Sequence, residues 1–160
     1  IYMSASLFGE GFKPAIDMGL SVSRIGNKVQ WPAMRKMTGI LQLEFVRYKE
    51  LVKLTRIKAG VSADVERRLR KGKVLEELLK QEPNLPIAME DQVITLFALQ
   101  GGFFNDVEPS DVRSILEALI KQVRTNRPDV IEDLIKNNKM TDEVREALNE
   151  QLGRFPRSSV

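Results

Sequence analysis

From Trp31 onward the apolar residues recur at three- and four-residue steps, and this period limits the available folds more than any other feature. Met34, Met37, Leu41, Phe45, Tyr48 and Val52 form one stripe behind Pro32, which suits a first helical position. Ile40, Leu43, Val46, Leu51 and Leu54 widen it, as a long helix packed on more than one side requires, and Gly60 closes it. Ser62 is a good N-cap for a second helix carrying Val65, Leu69, Val74, Leu75, Leu78 and Leu79 to about Lys80. Pro83 and Pro86 mark a loop, and a third helix runs from Ala88 to Phe97 or Leu99, before Gly101-Gly102. Pro109-Ser110 opens a fourth, with Ile115, Leu116, Leu119, Ile120 and Val123 inward. Pro128 begins a helical turn region with Val130, Ile131, Leu134 and Ile135. Thr141 caps a last helix with Val144, Leu148 and Leu152, ended by Gly153 and Pro156.

The first 26 residues lack this period. Ile1-Tyr2-Met3 reads as the end of a strand, the stretch through Gly9-Glu10-Gly11 as a loop, and Pro14 to Ser23 as a second extended segment. Two strands alone make no stable sheet, so this start is expected to complete a sheet whose other strands lie elsewhere. The predicted fold is mainly α: a scrap of α/β domain followed by a helical bundle.

A polypeptide of 160 residues holds one well-buried domain, or one domain and a fragment of another. No apolar run approaches the about 20 residues of a membrane-spanning helix. The absence of histidine removes the commonest general base and metal ligand, and the absence of cysteine removes disulfides, thiolate metal sites and thiol nucleophiles. Charge is uneven: residues 1–61 carry ten Lys/Arg against four Asp/Glu, residues 82–160 nine against fourteen. A basic first part suits an anionic partner such as a nucleotide or an acidic subunit.

Arg24 carries the chemistry in that basic part. Gly19, Ser21, Ser23 and Gly26 surround it with small residues on a tight turn, which offers no apolar neighbours to bury a guanidinium. A guanidinium keeps its charge near neutral pH and presents a fork of donors to phosphate oxygens. The residues alone leave two readings open, a surface arginine after a strand or a group that stabilises charge on a phosphoryl group.

Other motifs point to ordinary surface. The run Arg67-Arg68-Leu69-Arg70-Lys71-Gly72-Lys73 is bracketed by Glu66, Glu76 and Glu77, keeps its leucine at helical spacing and has no interleaved aromatics for base stacking. It reads as a solvated helix face rather than a nucleic-acid site. Glu90-Asp91 and Glu132-Asp133 are adjacent in sequence and point apart on a helix, so paired-carboxylate catalysis has no support. The sequence contains no GxxxxGK[ST] phosphate loop, so these residues do not build a nucleotide-triphosphate cradle.

Several segments resemble, in order, the α subunit of rotary (F-type) ATP synthases. Leu20-Ser21-Val22-Ser23-Arg24-Ile25-Gly26 matches its LSVSRVG with one conservative change, and Phe12-Lys13-Pro14-Ala15-Ile16 resembles GIRPAI. Met34-Arg35-Lys36-Met37-Thr38-Gly39 resembles AMKQVAG, and Leu43 to Glu50 resembles the LELAQYRE helix. Val74 to Gln81 resembles RLTELLKQ and Pro86 to Gln92 resembles PMAIEEQ. The likeness covers residues 1 to about 110; beyond that only Glu108-Pro109-Ser110 and the helical pattern persist. The β subunit lacks the serine-rich approach to the arginine, so the resemblance is to α.

The resemblance implies the C-terminal portion of an α subunit, either naturally split, as in some protist mitochondria, or part of a longer polypeptide. Residues 1–27 are then the edge of the nucleotide-binding domain and 28–160 the helical C-terminal domain. Arg24 becomes an arginine finger given in trans to a β-subunit site, Ser21 supports its loop and Val22 lines the neighbouring site. Lys13, Pro14 and Gln81 lie around the adenine of a nucleotide that α binds without turning over. Two departures stand out: Lys13 replaces the family's arginine, and Pro83 replaces the second glutamine of its KQGQ-type loop. ATP or ADP with Mg2+ is expected on the upstream α portion and on β, with none held by this chain alone and no metal site. Expected partners are that upstream portion, β, the central-stalk γ subunit and the peripheral stalk. Nucleic acid is not among them, and membrane contact is indirect, at the matrix side of the mitochondrial inner membrane or its bacterial or plastid counterpart. Without the resemblance, the alternative is a free-standing helical adaptor with no catalytic role.

Overall fold

Residues 1–55 and 62–156 are described by the computed structural model, and helices dominate them as the periodicity predicts. They are α1 (Ala5–Gly9), α2 (Gly26–Val29), α3 (Pro32–Thr55), α4 (Ala63–Leu79), α5 (Met89–Gln100), α6 (Val112–Asn126), α7 (Pro128–Asn137) and α8 (Asp142–Arg154). The caps follow from the sequence. Ser62 Oγ accepts from the Val65 N–H at 3.4 Å, and Thr141 Oγ1 from the Val144 N–H at 3.2 Å. Pro128 stands at the start of α7, which ends on Asn138 in the left-handed region at φ 56°. The Asn138 carbonyl accepts from the Ala33 N–H at 3.1 Å, satisfying an otherwise orphaned donor in the first turn of α3. The Gly60 expected to close α3 lies outside the described residues.

α3 packs on α4 and α5, and α5 to α8 pack among themselves, with α4 also touching α6. Met34, Met37, Leu41, Phe45 and Tyr48 are buried, as the primary stripe of α3 predicts. Of the widening residues, Ile40, Leu43 and Leu54 are instead exposed, while Val46 and Leu51 are half-buried. Ile135 is likewise exposed, while Val130, Ile131 and Leu134 are buried. Gly153 lies inside α8 rather than ending it; the helix stops at extended Phe155, whose ring meets Phe103 edge-on at 5.6 Å.

The N-terminal expectation needs correction. Among the described residues no strand forms: the two extended segments meet in a single antiparallel bridge, Met3 to Ile16. One segment passes into α1 at Ala5, and on the other side the Tyr2 N–H goes to Ser21 Oγ while the Asp17 carbonyl accepts from the Ser21 N–H, so the ladder lengthens in neither direction. The segment read as loop contains α1, capped by Ser4 Oγ accepting from the Leu7 N–H at 3.3 Å. These residues join the main core through Leu7, Phe12 and Ala15, with the Phe12 ring 5.3 Å from Phe45.

A partly buried polar network ties α3 and α4 to the turn after α1. Tyr48 Oη donates to Glu76 Oε2 at 2.7 Å, and Lys49 Nζ meets Glu10 Oε2 at 2.6 Å and Glu76 Oε1 at 3.6 Å. Burial first, and the Glu76 carboxylate second, push the Tyr48 phenol well above its ordinary value. Because the folded form holds this proton more tightly, the contribution is fully present below the unfolded tyrosine value of about 10 and is lost as pH rises above it. Chemical denaturation between pH 8 and 11 is expected to show stability falling in wild type and falling less steeply in Tyr48→Phe. Equal slopes would contradict the assignment.

Candidate functional site

The segment from Asp17 to Gln30 is shaped by short polar side chains rather than by regular structure. Asp17 Oδ1 accepts from the Gly19 and Leu20 N–H groups at 2.9 and 3.0 Å, and the Asp17 carbonyl accepts from the Ser21 N–H at 3.0 Å. An aspartate closing its own turn in this way is the chemistry of an Asx turn. Ser21 Oγ accepts from the Tyr2 N–H at 3.0 Å, joining the turn to the N-terminal segment. Ser23 Oγ accepts from the Gly26 N–H at 2.9 Å and so starts α2. Arg24 projects from beside these two serine anchors. It is exposed and has no ion-pair partner among the described residues. Val22, two positions earlier, is 84% exposed, and Leu20, Ile25 and Val29 are exposed as well. A cation flanked by uncovered apolar side chains is a surface suited to a partner.

The loop also rests on α3. Gln42 Nε2 donates to the Met18 carbonyl at 2.6 Å, and Thr38 Oγ1 donates to Gln30 Oε1 at 3.2 Å. Gly19 stands close to Val46, where an added Cβ would meet a methyl at 3.5 Å. Thr38, Gln42 and Val46 share one face of α3, each four residues from the next.

A second cluster forms where residues far apart in sequence meet. The Gln81 N–H donates to the Lys13 carbonyl at 2.9 Å, which sets Lys13 and its neighbour Pro14 beside Gln81. The Lys13–Pro14 peptide is cis. Lys13 Nζ lies over the Phe8 ring, 5.1 Å from its centroid, a cation–π arrangement at an exposed site. Gln81 Nε2 donates to the Leu85 carbonyl at 2.9 Å across the turn containing Pro83. Arg113 Nη2 donates to the Lys80 carbonyl at 2.9 Å, placing a cation at the C-terminal end of α4.

Asp17, Thr38, Gln42 and Arg113 escape a reading of the sequence. Asp17 two residues before a glycine is the one local signal among them.

Elsewhere, charges are spent on one another. Arg67 and Arg68 pair with Asp64, Arg70 with Glu108 at 3.4 Å and Lys71 with Glu44 at 3.0 Å, as a solvated face predicts. Glu90 and Asp91 do not point apart; both reach Arg124 Nη2, at 2.9 and 2.8 Å, because α6 lays one guanidinium between them. Among the described residues no group of three or more acidic, histidine or cysteine side chains could hold a metal ion. No helix there is long and apolar enough to cross a membrane. A shallow groove of about 490 Å³ between Tyr48, Leu69, Arg70 and Pro109 shares no residue with either cluster.

A family model described as "ATP synthase alpha/beta chain, C terminal domain" matches residues 30–155. The ATP synthase subunit alpha of Aquifex aeolicus (strain VF5) is 33% identical over 160 residues, which is the whole of this chain and 32% of the Aquifex protein. The chain thus spans about a third of the length of that relative.

Proposed function

The chain belongs to the family of C-terminal domains of ATP synthase alpha and beta subunits, and from that premise we propose that it serves as the C-terminal portion of an α-type subunit in a rotary ATP synthase. The 33% identity to an α subunit supports α over β. In this reading residues 1–27 are the edge of the nucleotide-binding domain and residues 28–160 its helical companion. Arg24 reaches across the subunit boundary to ATP held by an adjacent β subunit, where its guanidinium meets the charge that builds on the γ-phosphoryl group. Ser21 keeps the loop shaped and Val22 lines the neighbouring site. The observation that carries the reading is Arg24 itself, exposed and without an ion-pair partner among the described residues, on a loop anchored through Ser21 and Ser23.

Lys13, Pro14 and Gln81 contribute to the adenine surroundings of a second nucleotide, bound by α and not turned over. The Gln81-to-Lys13 backbone bond supports this by holding the three residues together. Lysine keeps the charge but not the planar stacking of an arginine, and Pro83 has no amide side chain to offer, so contacts through them are weakened. In this reading ATP or ADP with Mg2+ is held mainly by the upstream α portion and by β. The remaining partners are the γ stalk and the peripheral stalk. The complex attaches the chain to the matrix face of the mitochondrial inner membrane, or to a bacterial or plastid counterpart.

Co-expression tests this directly. Produced with the upstream α portion and β subunits, the chain is expected to co-purify in a complex that hydrolyses ATP. A separate, well-folded monomer in the presence of both would support the adaptor instead.

A further inference from the structure

We propose that Thr38 and Gln42 are positioning residues for Arg24, a two-point clasp by which α3 sets how far the guanidinium extends. This rests on the arginine-finger reading and adds the residues that place the finger. Gln42 Nε2 holds the Met18 carbonyl at 2.6 Å and Thr38 Oγ1 holds Gln30 Oε1 at 3.2 Å. Met18 lies six positions before Arg24 and Gln30 six positions after it, so the arginine stands at the middle of the clasped segment. The two holding side chains are four residues apart on one helix and face the same way. Between the anchors the loop is shaped by a single-turn helix and by local serine and aspartate bonds, which fix its turns without tying it to α3.

The clasp bonds one helix of the main core to both ends of a loop whose Met18 end packs against that core and whose middle does not. α3 is fixed by buried Met37, Leu41 and Phe45, whereas the loop exposes Leu20, Val22 and Ile25. A charge that must meet a developing negative charge has to be held in place, and a misplacement of about 1 Å costs on the order of a hundredfold in rate. Releasing both anchors leaves the loop tied at its middle only through the Ser21 bond to the Tyr2 N–H, with the guanidinium present but less closely placed.

The test uses the complex assembled with β, comparing Thr38→Val, Gln42→Leu, their combination and Arg24→Ala. The combined variant is expected to lower kcat for ATP hydrolysis by about tenfold to a hundredfold with KM nearly unchanged. Gln42→Lys, which restores a donor, is expected to recover most of that loss. In an Arg24→Ala background the combined variant is expected to cost nothing further, a result that a merely structural role would not give. Hydrogen exchange of the amides in residues 19–26 should rise in the combined variant while α5 to α8 keep their protection. Full turnover in the combined variant, or an additive loss without Arg24, overturns the clasp and leaves the finger standing. Full turnover in Arg24→Ala overturns the finger and the clasp with it.

Discussion

Arg24→Ala is expected to lower ATP turnover of the assembled complex by about a thousandfold or more, the scale that arginine fingers contribute in related phosphoryl transfers. The side chain is exposed and has no ion pair among the described residues, so its loss should leave folding and assembly intact. Nucleotide binding should persist as well, because a finger acts on charge that exists mainly in the transition state. The discriminating result is therefore a fall in kcat with nucleotide affinity retained. Arg24→Lys should recover only part of the loss, since an ammonium keeps the charge but not the planar fork. Undiminished synthesis and hydrolysis in Arg24→Ala would refute the role.

The second large effect concerns stability. Gly72 is buried where α4 crosses α3, and a Cβ there would stand 2.0 Å from Tyr48 Cδ2, 2.2 Å from Cγ and 2.7 Å from Cβ. These are the base of the ring rather than a flexible tip. The ring cannot step aside, because its hydroxyl is bonded to Glu76 and it packs near Phe45, with the ring centroids 6.2 Å apart. Gly72→Ala gains about 1 kcal/mol of helix propensity. Forcing α3 and α4 apart costs more, so a net loss of about 3 kcal/mol is expected, at the upper end for overpacking. For a protein of this size that lowers the melting temperature by roughly 6–12 °C. In a Tyr48→Ala background the ring atoms at 2.0 and 2.2 Å are gone and only the Cβ at 2.7 Å remains, so Gly72→Ala should cost clearly less than in wild type. An unchanged or raised melting temperature in the single variant would contradict the close approach.

The helices from α3 onward are readable because their signals are local: Ser62, Pro128 and Thr141 sit where caps belong, and the apolar residues keep one period. α1 escapes because five residues are too few to display a period, although Ser4 offers a capping signal. The expected strands fail for a physical reason, since pairing ends where α1 begins at Ala5 and where the Tyr2 N–H turns to Ser21 Oγ. The exposed Ile40, Leu43 and Leu54 show the limit of periodicity: it marks a face as apolar without saying what covers it. At the candidate site, small residues around Arg24 already imply a displayed guanidinium. The meeting of Lys13 with Gln81 is accessible only through the family resemblance, because no local rule pairs residues so far apart. Thr38 and Gln42 give no signal, since two polar residues on a helix look alike whether they face water or a carbonyl.

The most direct measurement is a map of the assembled complex by electron cryo-microscopy, with ADP and aluminium fluoride in the β site as a mimic of the transferring phosphoryl group. The expected result is the Arg24 guanidinium at hydrogen-bond distance, about 3 Å, from the mimic across the subunit boundary. An Arg24 side chain that lies in solvent or turns back onto its own subunit in that state would contradict the assignment.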